Sequence, residues 1–187
     1  QYYDWTSNTA ARPLFFQGTF TDVARLDLRA EAYTTYQAMR HSTFTDTRVE
    51  VTPSSSSSRQ MEMSNNTFID SQIVLKASSG SSSTGLVLRD STFTSTKAPP
   101  TTGSWTSYYI DGNDYGKWII QNNSFTPANG WKNLRYTYGL GNMIAPKNWW
   151  GSNQSSVIDA NIQDYMDNNG GGWVNYTPFW VDANMTK

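Results

Sequence analysis

The sequence predicts an all-β parallel β-helix, a solenoid of about six coils closed by a short C-terminal helix and strand cap. Three observations predict it: an aromatic triplet recurs at a near-constant interval, alternations of period two flank each recurrence, and charge is scarce. The triplets are Gly18-Thr19-Phe20, Ser42-Thr43-Phe44, Asn66-Thr67-Phe68, Ser91-Thr92-Phe93, Asn123-Ser124-Phe125 and Asn148-Trp149-Trp150. Their last residues are separated by 24, 24, 25, 32 and 25 positions. Repetition at a fixed period decides architecture before local propensity does.

Taken in chain order, residues 1–13 (QYYDWTSNTAARP) are an aromatic-rich segment ahead of the first rung, and residues 14–187 form the β-helix domain with its cap. The segment is expected to cap the open end of the coil or to pack against another molecule. Within each rung, apolar pairs precede the aromatic by seven and five positions (Met61/Met63, Leu86/Leu88, Trp118/Ile120, Met143/Ala145) or follow it by five and seven (Val49/Val51, Ile73/Leu75). Period-two alternation separated by polar turns reads as short strands. One such unit cannot bury its apolar face alone, but stacked coils can, each strand pairing with its equivalent about 4.8 Å along the axis. Columns of like residues then follow. Phe stacks inside, and Gly, Ser or Asn two positions earlier sits at a bend, where a small amide or hydroxyl can bond the turn and its neighbour above. A β-sandwich would explain the short strands equally well. It would not explain a Thr-Phe signature at every third strand.

The connections carry the punctuation. Pro53–Ser58, Ser78–Gly85 and Pro99–Ser104 are low-complexity, and the first two fall at the same point of successive rungs as neighbouring hydroxyl-rich loops. The 32-residue interval holds an insertion around Thr101–Tyr115. Val157, Ile158, Ile162, Tyr165 and Met166 have helical spacing, with Asp164 and Asp167 on the other face. They predict a short amphipathic helix covering strand edges that would otherwise pair with other chains.

Composition narrows the function. The chain has 187 residues, 16% charged, with 14 Lys and Arg against 15 Asp and Glu, so it lacks the basic footprint that a nucleic-acid partner needs. Ser, Thr and Asn (22, 22 and 16) fill 60 positions, giving a neutral polar surface. The absence of Cys excludes disulfide scaffolds, thiolate zinc sites and cysteine nucleophiles. His41, the single histidine, falls in a polar bend column with Gln17, Asn65, Asp90, Asn122 and Lys147, without partners for a relay. No run approaches the roughly 18 apolar residues of a membrane span. The start at Gln1 leads us to expect a processed product.

The rung Met61-Glu62-Met63-Ser64-Asn65-Asn66-Thr67-Phe68-Ile69-Asp70-Ser71-Gln72-Ile73-Val74-Leu75 resembles the repeats of the pectin-lyase-like right-handed parallel β-helix superfamily. The ending, Asn148-Trp149-Trp150-Gly151, then a helix, then Gly172-Trp173-Val174-Asn175-Tyr176-Thr177-Pro178-Phe179, resembles the last coil of many members. The resemblance spans residues 14–181 and implies a right-handed coil and an extracellular or cell-surface location. It does not select an activity, because the superfamily includes lyases, hydrolases, epimerases, adhesins and inert scaffolds. The motifs around the carboxylates of polygalacturonase-like members are absent, so no catalytic residue is carried over.

Several constellations could carry chemistry. Asp22, Asp46 and Asp70 each follow the repeat Phe by two positions, and stacking would set neighbouring carboxylates about 5 Å apart. Such a column can do acid–base work or bind Ca²⁺, the one cofactor it suggests. With Arg48, Gln72 and Lys97 two positions later it could face a uronate. It could equally end strands and bond its own turns. The segment Asp111-Gly112-Asn113-Asp114-Tyr115-Gly116 begins like a calcium loop, with Tyr115 where the third ligand should be. Thr19/Thr21, Thr43/Thr45, Thr92/Thr94 and Ser124/Thr126 flank the inward Phe and form two outward ranks, similar to the ice-binding faces of some β-helical antifreeze proteins, although Ile69 interrupts one rank. Thr is also simply a good strand residue. Trp105, Tyr108, Tyr109, Trp131, Tyr136 and Tyr138 lie in or beside the longest loops, and are read as sugar platforms, an interface or packing on the coil. Five sequons occur, at Asn65, Asn122, Asn153, Asn175 and Asn184, a number close to chance for this composition. Asn153 and Asn184 are the better placed glycan carriers.

The leading expectation is a non-catalytic structural module, glycosylated where the host allows, whose partners are further copies of itself or other surface proteins. A polysaccharide-active or polysaccharide-binding module using the Asp column with Arg48 and Lys97 is the alternative, and ice binding by the Thr ranks is the third.

Overall fold

The computed structural model of the chain describes residues 2–4, 14–29, 36–52, 60–76, 86–112, 118–136, 143–167 and 172–185. Strand β1 (Tyr2–Asp4) precedes the first coil of β2 (Leu14–Phe16), β3 (Thr19–Thr21) and β4 (Arg25–Arg29). The second coil holds β5 (Tyr36–Arg40), β6 (Thr43–Thr45) and β7 (Arg48–Thr52); the third, β8 (Gln60–Ser64), β9 (Thr67–Ile69) and β10 (Gln72–Leu75). The fourth has β11 (Leu86–Arg89), β12 (Thr92–Thr94) and β13 (Tyr108–Gly112); the fifth, β14 (Ile119–Gln121), β15 (Ser124–Thr126) and β16 (Lys132–Tyr136). A last, partial coil has β17 (Met143–Ile144), a single parallel bridge from Ser124 to Trp149, helix α1 (Ser155–Asp159) and β18 (Ile162–Gln163), and β19 (Val174–Asn175) follows.

These strands stack into three parallel sheets. The first runs β2-β5-β8-β11-β14-β17-β19, the second β3-β6-β9-β12-β15 and the third β1-β4-β7-β10-β13-β16-β18. The chain is therefore an all-β parallel solenoid, as its repeat predicts. Where about six coils are expected, five carry all three strands, and the middle strand of the sixth shrinks to one bridge.

The repeat aromatics form one column. Phe20, Phe44, Phe68, Phe93, Phe125 and Trp150 stack in succession at centroid distances of 5.1, 4.7, 4.5, 4.7 and 4.7 Å. Spacings this close to the strand separation are what in-register parallel pairing imposes. All but Phe20 are fully buried, and the flanking pairs, Met61/Met63 through Ile73/Leu75, are buried beside them.

The bend column does what a small polar side chain was expected to do there. Backbone N–H groups of Gly18, Ser42, Asn66, Ser91 and Asn123 each donate to the side-chain oxygen one coil on, of Ser42, Asn66, Ser91, Asn123 and Asn148, at 2.8–3.1 Å. The same side chains donate to carbonyls of the strand just finished or the coil before, as Asn66 Nδ2 does to Met39 O (3.1 Å) and Asn148 Nδ2 to Ile120 O (2.7 Å). The residue preceding each, His41, Asn65, Asp90, Asn122 and Lys147, is left-handed at φ 52–56°. Gln17, assigned to that column from the sequence, is not among the residues with positive φ.

Two expectations about the later elements need correction. The insertion around Thr101–Tyr115 was placed too far along: the chain rejoins the third sheet at Tyr108, so within that range the excursion ends at Ser107. The helix expected to span Val157 to Met166 stops at Asp159, because Ile162 is taken into the third sheet opposite Leu134. Asp164, expected on the exposed helix face, is buried, and its carboxylate accepts from the N–H groups of Met166 and Val174 at 2.9 Å. The Ser-rich loops Pro53–Ser58 and Ser78–Gly85 lie outside the described residues, as does residues 1–13 apart from β1, which pairs with β4.

The ladder predicts a large and local cost. Asn123→Ala should leave the Ser91 N–H and Leu88 carbonyl without their buried partners, and lower stability by about 2–4 kcal/mol. Urea unfolding measures this; a change within 0.5 kcal/mol, the range of an ordinary surface substitution, would contradict the ladder's role.

Candidate functional site

The Asp column forms as spaced, but as a bend. Asp22, Asp46 and Asp70 are left-handed at φ 55°, 51° and 50°, a conformation that Asp tolerates better than most residues. The Asp46 carboxylate takes Lys97 Nζ at 2.6 Å, which raises the lysine pKa above its ordinary value. The buried Asp70 accepts from the N–H groups of Thr96 (2.7 Å) and Lys97 (3.1 Å). All three residues end their strands at a bend, as one alternative expects, but the carboxylates of Asp46 and Asp70 reach Lys97 and Thr96 after β12 and not their own turns. Arg48, read beside Asp46, instead lies against Glu50 on the outward side of the third sheet.

Among the described residues, no group of three or more His, Cys, Asp and Glu is placed to hold a metal ion. The carboxylate of Asp111 meets Arg135 through two bonds, Nε–Oδ1 at 2.9 Å and Nη2–Oδ2 at 2.6 Å, and this pairing raises the arginine pKa. Asp114 lies outside the described residues. His41 is an exposed bend residue.

The aromatics divide. Tyr109, Trp131 and Tyr136 are buried, so none of the three is a surface platform. Of the three readings left open, these residues follow packing on the coil: Tyr109 belongs to β13 and stacks on Trp131 at 5.0 Å and 11°. Burial, chiefly, pushes its pKa up to about 12. Tyr108 is half-buried beneath Lys132 Nζ (5.9 Å) and Arg135 Cζ (5.7 Å), with its hydroxyl donating to Gln163. Trp105 is half-buried with its edge against Trp131, and Tyr138 lies outside the described residues.

The Thr ranks are in register along the second sheet: Thr19, Thr43, Thr67, Thr92 and Ser124 in one, Thr21, Thr45, Ile69, Thr94 and Thr126 in the other. Of the sequon residues, Asn65, Asn153, Asn175 and Asn184 are exposed and Asn122 is half-exposed. The Asn175 side-chain oxygen already accepts from the Thr177 hydroxyl at 3.1 Å.

Sequence reasoning missed a charge cluster on the outward face of the third sheet. Asp27 of β4 pairs in register with Glu50 of β7, Arg25 and Arg48 open those two strands, and Lys76 follows β10. Glu50, 2% exposed at its side chain, meets Arg25 Nε at 3.0 Å and also Arg48 and Lys76. The cluster lines a cavity of about 440 Å³ whose other wall is Thr102–Trp105 of the inserted segment. Its signal was an Arg-x-acid pair, alternating with buried apolars, repeated 23 positions apart.

No protein-family model matches the chain, and neither a curated protein nor a solved structure matches it. Its class therefore rests on its own geometry, that of a parallel β-solenoid.

Two outcomes follow. Asp70→Ala should cost about 2 kcal/mol from a left-handed residue with a Cβ and no side-chain acceptor, and Asp70→Gly should cost less; equal losses in chemical denaturation would refute the bend role. Because the Tyr109 pKa is raised from 10.0 to about 12, its contribution to stability is complete below pH 10 and is lost as pH climbs toward 12. Phenolate absorbance should show late-ionising tyrosine that Tyr109→Phe diminishes.

Proposed function

We propose that the chain is a non-catalytic structural module of a cell surface or extracellular filament, built on the pectin-lyase-like right-handed β-helix and stacked end to end. One observation carries this reading. Among the described residues, every exposed large hydrophobic, Ile144, Val157, Tyr165, Met166, Trp173 and Val181, belongs to the last coil and its cap. Two of them, Tyr165 and Trp173, pack together at 5.2 Å, and exposed apolar groups gathered at one end of a solenoid favour a protein contact there. At the opposite end, among the described residues, the second sheet finishes at β3, and Phe20 is the least covered ring of its column. An unpaired strand edge is a template for another chain. The two ends differ, so the occupant of one is the other end of a second copy, and such a contact propagates instead of closing. The neutral polar flanks and the exposed Asn153 and Asn184 accord with a solvated, glycan-bearing filament wall.

Light scattering over a concentration series, with negative-stain microscopy, tests it. The mass should climb above 21.1 kDa per particle as concentration rises, with elongated particles. Met166→Glu, at the most exposed of these side chains (71%), should hold the protein monomeric with little change in its melting temperature. Wild-type protein that stays monomeric at every concentration would overturn the reading.

A further inference from the structure

Oxidisable sulfur is unevenly covered in this chain. Of six methionines, Met39, Met61, Met63 and Met143 are at most 4% exposed and Met185 is half-buried, whereas Met166 is 71% exposed. A thioether is oxidised only where a peroxide can reach it, so Met166 is the residue at which oxidant acts first. Its backbone is also fixed. The Met166 N–H donates to Oδ1 of the buried Asp164 (2.9 Å), and the next N–H, of Asp167, donates to the Asp164 carbonyl (3.1 Å). The sulfur is thereby held at the C-terminal end of the coil, on the same cavity as Trp173, whose ring packs with Tyr165.

The surroundings of that sulfur are one-sided in their chemistry. With Met166, the walls of this cavity of about 320 Å³ include the apolar Ile162, Trp173 and Val174 and the carboxylates of Asp159, Asp164 and Asp167. No Lys, Arg or His is among the described residues that line it, and the Tyr176 hydroxyl already donates to Asp159 (2.6 Å). Reduced methionine suits this place, since a thioether is apolar and polarizable and packs well on aromatic rings. Methionine sulfoxide does not. Its oxygen is a hydrogen-bond acceptor among carboxylates and apolar walls. Covering it with a second copy would remove its water without supplying a donor from this side of the contact. While the end is free, the oxygen stays hydrated and the fold loses nothing.

We propose that Met166 is a redox switch: a peroxide oxidises it on a free end, and the sulfoxide blocks docking of the next copy. This inference rests on the end-to-end reading above and adds its regulation. With hydrogen peroxide, the thioether sulfur attacks the O–O bond. An S–O bond forms, the O–O bond breaks, and sulfur gives up an electron pair. The departing hydroxide takes the proton of the sulfur-bound hydroxyl and leaves as water. Reduction by methionine sulfoxide reductases, one for each sulfur epimer, restores the thioether. In an assembled filament only a terminal copy presents Met166, so assembled protein resists the oxidant that stops free copies from joining.

Dilute hydrogen peroxide, followed by peptide mass mapping and light scattering, tests this on the whole chain. Met166 should gain one oxygen before any other methionine, with little change in melting temperature. The concentration at which half of the protein is assembled should rise about tenfold or more. Treatment with both reductases and a thiol should return it to the starting value. Oxidation of Met166 should be slower at concentrations that assemble the protein than at those that leave it monomeric. Met166→Leu removes the sulfur, so whatever assembly that variant keeps should be the same before and after peroxide. A wild type that never assembles overturns the end-to-end reading and the switch with it. Assembly that persists with Met166 fully oxidised, an earlier reaction at another methionine, a loss that the reductases fail to reverse, or an equal loss in Met166→Leu overturns the switch alone.

Discussion

Coil-to-coil registry at the first bend is the constraint on which the other features depend. Each amide or hydroxyl there accepts from the preceding coil's backbone and donates to a nearby carbonyl, so every coil is fixed to the next by a bond whose length admits no slip. Side chains alternate faces with period two, and a one-residue shift would turn Phe out and Thr in. The ring column, the Thr ranks and the outward carboxylates therefore all presuppose this ladder. It also uses buried polar groups in the one way that costs little, with donors and acceptors both engaged.

Buried charge repeats the logic on the outer faces. Glu50 on the third sheet gathers cations from three successive rungs, and Glu62 on the first sheet accepts from Arg40, Ser64 and Arg89. Desolvating such groups is expensive, and their net contribution to stability is small. Their contribution to specificity is plainer: a carboxylate satisfied by several coils penalises any other pairing.

Periodic features were legible in the sequence and aperiodic ones were not. Phe44, Phe68 and Phe93 announce themselves by interval, and their flanking apolars by alternation, so fold class and core followed directly. Asp46 and Asp70 were visible as a column, but sequence spacing cannot distinguish a carboxylate aimed at solvent from one folded onto Thr96. For Tyr109 the sequence leaves packing on the coil as one of three readings, because the insertion hides where the strand resumes. Val157 to Met166 fits a helix as well as it fits a helix followed by a strand, and only the vacant pairing edge at Leu134 decides between them. The Glu50 cluster left one periodic trace, Arg25-Leu26-Asp27 and Arg48-Val49-Glu50 at 23 positions, but Lys76 and the Thr102–Trp105 wall come from two further rungs with no repeat to announce them.

The interval between Phe93 and Phe125 is 32 residues against 24 or 25 elsewhere, yet their rings stack at the ordinary 4.7 Å. Axial rise is thus independent of contour length. The solenoid behaves as a ruler whose graduations are set by backbone pairing, while the thread between graduations may lengthen freely. New chemistry can then be spliced into one coil without recalibrating the others, and the Trp105 wall, borne on such a splice, is the local instance of that evolvability.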